Sequence, residues 1–472
     1  MTSPVALALA FAMLGVFALV AVRWRAELVM SLPFLVILNG ISLPVGGSSM
    51  RVDQLAACAL MVPLIASVLI GARRLRTDST MWWLAAILVL NVISSATNSP
   101  ARTYSLLQCA NVASVWIIYP IVLNFLDTRE EMEAFFHRAL WAAIAACAIG
   151  IVAYLLAVSG VSVGGAEVSA AAAERLTKAY GAFGAMVEPN ILGGFAGAYL
   201  VVGVALLAAA TGDAESVNRS RLLRGVVAFT AVALVLSFTR AAWLAAAVGL
   251  LCVGLFGRSR DVRVMRGRSR LRRLVAPLAV GAAVMIVLLL LPGDAGTLFR
   301  FKVFNLVNLG SQTVVVRLVT YVMAIQQTVD HPLIGWGTFT FAPLAAQGAD
   351  FQQFDNWRNL WIGNYVLLAV HDTGLLGLGL WTGLLTSIVR RSIRTLRALR
   401  PVDPIAADRV FALFVATVVL LVAFLSTSGF SLGYPWLLIG LLGAYCRTNE
   451  PERITPAPAT PEAAGHHASA IA

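Results

Sequence analysis

Charged side chains are scarce in this sequence. Only 12% of the 472 residues are Asp, Glu, Lys or Arg, and 59% are hydrophobic, whereas soluble domains carry about 25% charged residues. This scarcity excludes an ordinary soluble fold. The five cysteines are scattered through or beside apolar runs without metal-ligand spacing, so the sequence predicts neither a metal site nor a disulfide framework.

Nucleotide-binding motifs and internal repeats are also missing. Without a Walker A loop or a dinucleotide fingerprint, ATP-driven work is not expected. The net charge of +12 does not indicate nucleic-acid binding either. Its arginines cluster in short loops between apolar runs, which is typical of the cytoplasmic loops of membrane proteins.

Long apolar runs are what the sequence has in abundance. Apolar runs of about 18 residues or more recur along the chain and are long enough to cross a bilayer as helices. They do not alternate apolar and polar residues as barrel strands would. We therefore predict an all-α, polytopic integral membrane protein with about 12–13 transmembrane helices in a single domain, residues 1–446. The predicted spans are 5–22, 28–45, 55–70, 81–96, 109–126, 139–158, 191–210, 224–238, 241–256, 274–291, 361–388, 410–426 and 430–446.

Arginine-rich loops give these spans a direction. Residues 257–273 hold eight arginines and one acid, so this loop should be cytoplasmic. Counting outward from it places the other arginine-rich loops on the same side and the long loops 159–190 and 292–360 outside. The loop 292–360 is expected to carry short helices, including an amphipathic one at Val314–Val329. The Pro-rich tail, 447–472, is predicted to be disordered and cytoplasmic.

Four polar segments lie at the outer ends of these spans, where polar groups usually have a functional reason. Each also has a structural explanation. Glu188 could start a helix, Arg240 could snorkel to the interface, and Arg317 could lie on the solvated face of a surface helix. In the segment that begins at Asn364, His371 and Asp372 could be a hydrogen-bonded pair that shapes helix packing.

Arg240 and Arg317 together suggest an anion site. The span count places both at the outer face, and the planar guanidinium matches phosphate oxygens bidentately. A phosphate-bearing lipid presented from the outer leaflet is the expected ligand.

The same four segments resemble, in order, those of the O-antigen ligase/polymerase family of bacterial envelope glycosyltransferases. The similarity covers about residues 175–390. The similar segments are Gly181-Ala-Phe-Gly184 with Glu188-Pro-Asn190-Ile-Leu-Gly193; Ser237-Phe-Thr-Arg240-Ala-Ala-Trp-Leu244; Arg317 with Asp330-His331-Pro-Leu-Ile-Gly335-Trp-Gly337-Thr-Phe339; and Asn364-Tyr365 with Thr373-Gly-Leu-Leu-Gly377.

The resemblance implies a reaction and a location. Members of this family transfer a glycan from an undecaprenyl-pyrophosphate carrier to an acceptor sugar outside the bacterial cytoplasmic membrane, without a metal or other cofactor. Arg240 and Arg317 would stabilise the pyrophosphate leaving group. The residues expected to bind substrate are Glu188, Asn190, Asn364, Tyr365 and Asp372.

One position departs from the family pattern. Gly363 stands where the ligases have a histidine thought to act in catalysis, so the general base has no obvious candidate. His331, Asp355 and Glu188 are possible substitutes, and the missing histidine favours a polymerase-like or otherwise diverged member over a strict ligase. A membrane transporter or flippase is the alternative function, and a structural membrane protein is the third possibility.

Overall fold

Helices dominate the computed structural model, which confirms the all-α prediction. Among the described residues, seven helices are long and apolar enough to cross a membrane. Apart from isolated residues between 286 and 300, the structure describes residues 23–45, 48–71, 73–158, 182, 184–209, 214–257, 312–345 and 361–449.

The described residues 23–158 form six α-helices and one small hairpin. In chain order the elements are α1 Arg25–Leu35, β1 Ser42–Val45, β2 Ser48–Arg51, α2 Val52–Leu69, α3 Ser79–Thr97, α4 Arg102–Trp116, α5 Ile118–Phe125 and α6 Arg129–Val158. The strands pair antiparallel, with Ser42 opposite Arg51. The predicted span 109–126 is thus two helices that meet at Ile117.

The described residues from Gly184 onward form the centre of the bundle. Their elements are α7 Pro189–Ala209, α8 Ala214–Leu236, α9 Arg240–Phe256, α10 Gln312–Asp330, α11 Phe341–Ala345, α12 Tyr365–Val402, α13 Pro404–Ala423 and α14 Gly433–Thr448. Helix α7 packs against α8, α9 and α13. Of its most apolar window, 83% is buried, so α7 is an interior helix.

The prediction of a span at 28–45 is wrong. Helix α1 ends at Leu35, and a 3₁₀ turn and strand β1 follow. The chain turns at Gly40, whose N–H donates to the Ala185 carbonyl at 2.9 Å. A Cβ on Gly40 would lie 2.7 Å from that carbonyl oxygen, so the contact requires glycine. The break lets this segment support the chain that leads into Glu188.

Three other predictions fall wholly or partly outside the described residues. The span 5–22 lies outside them, and only isolated residues of 274–291 are described. The predicted tail begins too early, because α14 continues to Thr448. Arg447 is buried there and donates to the Leu126 carbonyl at 2.7 Å. The rest of the tail, 450–472, lies outside the described residues.

Ion pairs collect at one end of the bundle, which we call the basic end. Arg391 pairs with Asp78, Arg409 with Glu133 at 3.0 Å, and Arg73 with Asp127 at 3.2 Å. Two of the arginine-rich segments that the count assigned to the cytoplasm, 72–80 and 390–400, therefore meet here. The second was predicted to be a loop, but it is the last part of α12. The opposite end of α12, where it begins at Tyr365, belongs to the candidate site.

The amphipathic helix predicted at Val314–Val329 is present as α10. Its exposed apolar side chains follow a spacing of three and four residues, and all lie on one face. They are Val315, Leu318, Val322, Ile325 and Val329.

Candidate anion site at one end of the bundle

The ends of several helices meet opposite the basic end. We call the group formed by Glu188, Arg240, Arg317 and Gly363 the arginine site. Glu188 directly precedes α7 and Arg240 begins α9, whereas Arg317 lies in the second turn of α10. These residues come from three of the four polar segments recognised in the sequence, and Gly363 directly precedes Asn364 of the fourth.

Glu188 is half-buried and held by neutral hydrogen-bond donors. Its Oε1 accepts a hydrogen bond from Thr427 Oγ1 at 3.0 Å and a longer one from Asn190 Nδ2 at 3.5 Å. Burial raises the pKa of the Glu188 carboxyl, and these hydrogen bonds and the charge of Arg317 oppose that rise. The carboxylate therefore lies within electrostatic reach of Arg317.

Arg317 is the half-buried cation at the centre of the site. Among the described residues, no carboxylate lies within ion-pair distance of its guanidinium. Its charge acts on Glu188, Arg240 and Tyr321, and a Cβ built on Gly363 would lie 4.0 Å from its Nε. A half-buried guanidinium without a carboxylate partner attracts an anion.

Arg240 reaches the site through a tight turn between α8 and α9. Phe238 has a φ of 50°, and the Ser237 hydroxyl donates to the Leu234 carbonyl at 2.7 Å. A Cβ on Gly193 of α7 would lie 2.7 Å from Ser237 Oγ. The glycine therefore lets the turn lie against α7, and the exposed Arg240 begins α9 within electrostatic range of Arg317.

Asn190 and Asn364 have evident structural partners. Thr239 Oγ1 donates to Asn190 Oδ1 at 3.3 Å, which ties the start of α7 to the turn before α9. Asn364 is the N-cap of α12, and its Oδ1 accepts from the N–H groups of Val366 and Leu367 at 2.9 and 3.1 Å. Such a cap satisfies donors that the helix itself leaves open. The substrate-binding role predicted for both asparagines stays a prediction.

Tyr365 lies beside the arginine site and lines an aromatic cavity of about 60 Å³ with Trp116, Trp381, Phe430 and Asp372. The Tyr365 and Phe430 rings pack edge to face, with 5.3 Å between centroids. Tyr365 is two residues from Gly363, so the cavity adjoins the arginine site along the chain.

Asp372 holds the loop 331–340 in place. Its Oδ1 is 2.9 Å from His371 Nδ1, and its Oδ2 accepts from the Phe339 N–H at 3.0 Å. His371 Nε2 is 2.9 Å from Gln327 Oε1 of α10. His371 and Asp372 therefore link α12 to α10 and to the loop. They form the hydrogen-bonded pair that the sequence analysis gave as their structural explanation.

Glycines let this loop enter a break in α12. Gly374 has a φ of 65° and interrupts the helix, and the Leu375 and Leu376 N–H groups donate to the Pro332 and Leu333 carbonyls. Gly335 has a φ of 67°, and a Cβ there would lie 2.5 Å from the Asp372 carbonyl carbon. The His-Pro-x-x-Gly-x-Gly segment is thus a packing element that fixes α10, and with it Arg317.

The structure does not bring His331 to the arginine site. His331 follows α10, and Arg317 is 13 residues before the end of that helix, a separation of about 20 Å at 1.5 Å per residue. The His331 ring packs edge to face on Trp336 at 4.2 Å. Asp355, the other proposed substitute for the family histidine, lies outside the described residues.

Thr427 is the site residue that the sequence reasoning missed. It belongs to the turn Ser426–Ser431 between α13 and α14, which supports Glu188 through Thr427 and faces Gly363 through the Ser426 carbonyl. Arg51 donates to the Ser431 carbonyl at 2.8 Å and anchors the turn. The run of small polar residues between two apolar spans was the signal that could have indicated it.

Comparison with known proteins decides which family these residues resemble. Residues 225–382 match the family model described as O-antigen ligase. The predicted O-antigen ligase/polymerase resemblance is confirmed over this segment. No curated protein matches the chain. The match indicates glycan transfer of the ligase or polymerase type, and with the apolar helices it indicates a bacterial inner-membrane protein. It includes Arg240, Arg317 and Asn364, whereas Glu188 and Asn190 precede it.

Proposed function

We propose that the chain transfers a glycan from a polyprenyl-pyrophosphate carrier to an acceptor sugar, at the outer face of the bacterial cytoplasmic membrane. The convergence of Arg240 and Arg317 supports this proposal most directly. The two arginines are 77 residues apart in the sequence, belong to the segment that matches the O-antigen ligases, and lie within electrostatic range of each other.

The guanidinium groups of Arg240 and Arg317 are like charges within electrostatic range of each other. Each charge disfavours the other, and an anion that binds both guanidinium groups would offset this repulsion. A pyrophosphate carries several charged oxygens and could accept hydrogen bonds from two guanidinium groups at once. Its negative charge grows as the glycosidic bond to the carrier breaks, so the arginines would stabilise the transition state more than the ground state.

The position of the site suits a lipid-linked donor. The basic end of the bundle carries arginine-rich loops that favour the cytoplasmic side, and the arginine site lies at the opposite end. Helix α10 presents its exposed apolar face next to Arg317, and this face would rest in the outer leaflet. A carrier embedded in that leaflet would then present its pyrophosphate at the depth of the guanidinium groups.

Substitution of the arginines tests the function. In cells that lack the native gene, Arg240→Ala and Arg317→Ala should each lower polymer or ligated glycan about 100-fold or more, the usual cost of removing one such donor, while the lipid-linked donor accumulates. Glycan is measured on gels and the donor by mass spectrometry. Arg394→Ala is the matched control, because this exposed arginine lies on α12 near the basic end.

Membrane levels of every variant are compared by immunoblot. Wild-type glycan from both site variants would contradict the proposal. Loss of glycan in the Arg394 control would show that the assay responds to any arginine.

A further inference from the structure

The vacant position at Gly363 faces Arg317. Gly363 is buried, and a Cβ there would meet the Ser426 carbonyl at 3.5 Å and Arg317 Nε at 4.0 Å. Both distances are ordinary contacts, so a side chain could be accommodated. In this chain the position offers no group that can accept a proton.

Glu188 is held by the turn that faces Gly363. Ser426, which faces Gly363, precedes Thr427, whose hydroxyl donates to Glu188 Oε1 at 3.0 Å. Among the described residues, both hydrogen bonds to the carboxylate fall on Oε1, so Oε2 remains for a substrate. Arg317 acts on Glu188 and also lies beside Gly363.

From this geometry we propose that Glu188 is the general base that deprotonates the acceptor hydroxyl, in place of a side chain at position 363. The inference rests on the proposed function. Glu188 Oε2 takes the proton of the acceptor hydroxyl while the acceptor oxygen attacks the anomeric carbon of the donor. The new glycosidic C–O bond forms as the C–O bond to the pyrophosphate breaks. The electron pair of the broken bond stays on the pyrophosphate, which leaves as polyprenyl pyrophosphate beside the arginines.

The surroundings of Glu188 suit a base. Burial raises its pKa above the ordinary value of a glutamate, and a base is more effective when its pKa lies nearer the working pH. The charged and titratable groups that act on it among the described residues are Arg317 of α10 and Tyr434 of α14. The other groups that touch it, Thr427 and Asn190, are neutral.

The other candidates within the described residues fit less well. Both oxygens of Asp372 are occupied, by His371 Nδ1 and the Phe339 N–H. His331 is at the far end of α10, about 20 Å from Arg317 by helix length. Neither could reach a hydroxyl at the arginine site without leaving these contacts.

The first test separates chemistry from donor binding. Purified Glu188→Gln protein in nanodiscs should transfer glycan about 100-fold or more slowly than wild type, as expected for loss of a general base. The donor is the lipid-linked glycan that accumulates in cells lacking the gene. The affinity of the Glu188→Gln protein for undecaprenyl pyrophosphate should stay within about threefold of the wild-type affinity, because the amide keeps the shape of the side chain and both arginines remain. Arg317→Ala should lose that affinity.

The second test restores a base on the opposite side of the gap. Gly363→His in the Glu188→Gln background should transfer glycan at least tenfold faster than Glu188→Gln alone. The wild-type rate should fall as the pH drops through the pKa of Glu188, because the protonated carboxyl cannot accept the hydroxyl proton. The residual rate of Glu188→Gln should lose this acidic limb, and the double variant should regain one near pH ~6.5, the ordinary pKa of histidine. Gly363→Ala in the same background is the control and should not recover activity.

Several outcomes would overturn the assignment. The Glu188→Gln variant could transfer glycan at a rate within threefold of wild type. It could lose both its transfer rate and its affinity for undecaprenyl pyrophosphate. Its pH profile could also keep the acidic limb of the wild type. If that variant fails to insert, a wild-type rate without an acidic limb is decisive against the base. Full activity of Glu188→Gln beside inactive arginine variants would refute only the base, whereas active arginine variants would refute the proposed function itself.

Discussion

Gly335→Ala should loosen the loop 331–340 from the break in α12. A Cβ at Gly335 would lie 2.5 Å from the Asp372 carbonyl carbon and the Thr373 nitrogen, both backbone atoms that cannot rotate away. The residue also has a φ of 67°. The left-handed conformation costs an alanine about 1–2 kcal/mol, and overpacking adds about 1–3 kcal/mol. The attached loop should therefore lose about 2–5 kcal/mol of local stability.

Cys109 reports directly on this loop. It is buried, and its Sγ lies 3.1 Å from Thr338 Oγ1 of the loop. In a variant that keeps only this cysteine, a thiol reagent should label it through local opening of the loop. A loss of about 2–5 kcal/mol raises the open population, and with it the labelling rate, by about 30- to 5,000-fold.

A matched glycine controls for the alanine itself. A Cβ on Gly379, further along α12, would meet nothing within 4 Å, so Gly379→Ala should leave the labelling of Cys109 unchanged. A labelling rate in Gly335→Ala within threefold of the parent would refute the claim that the loop depends on this glycine. Glycan assembly should fall in parallel with faster labelling, because the same loop fixes the end of α10.

Three further substitutions test other parts of the fold and site. Asp78→Asn should lower the free energy of unfolding of the purified protein by about 3 kcal/mol, since it removes the carboxylate charge that pairs with the nearly buried Arg391. The affinity for undecaprenyl pyrophosphate should stay unchanged, and equal stability would contradict the importance of this pair. Gly184→Ala should reduce the yield of folded protein, because Gly184 has a φ of +57° and an added Cβ would lie 2.8 Å from the Gly150 nitrogen. A normal yield and a normal melting temperature would disprove this. A spin label at Val322 should be more accessible to oxygen than to a water-soluble nickel chelate if the apolar face of α10 rests in the bilayer, and the reverse order would place that face in water.

Apolar runs in the sequence were sufficient to predict the helical membrane fold. Burying a backbone in lipid requires its hydrogen bonds to be satisfied locally, so a long apolar run without charge becomes a helix almost regardless of its neighbours. The amphipathic spacing of α10 and the loop glycines were also visible, because both are local patterns. The failure at 28–45 has the opposite cause, since the turn at Gly40 depends on a contact with Ala185, 145 residues away.

The arginine site was predictable in its residues but not in its arrangement. The sequence pointed to Glu188, Arg240 and Arg317 separately, and the span count placed them on one side of the membrane. Only the tertiary structure decided that Thr427 supports Glu188 and that Asp372 holds the loop 331–340. It also decided that His331, at the start of this loop, lies away from the arginines. Such pairings depend on how α7, α10, α12 and the turn after α13 pack together, and side-chain distances between separate helices leave no periodic trace in the sequence.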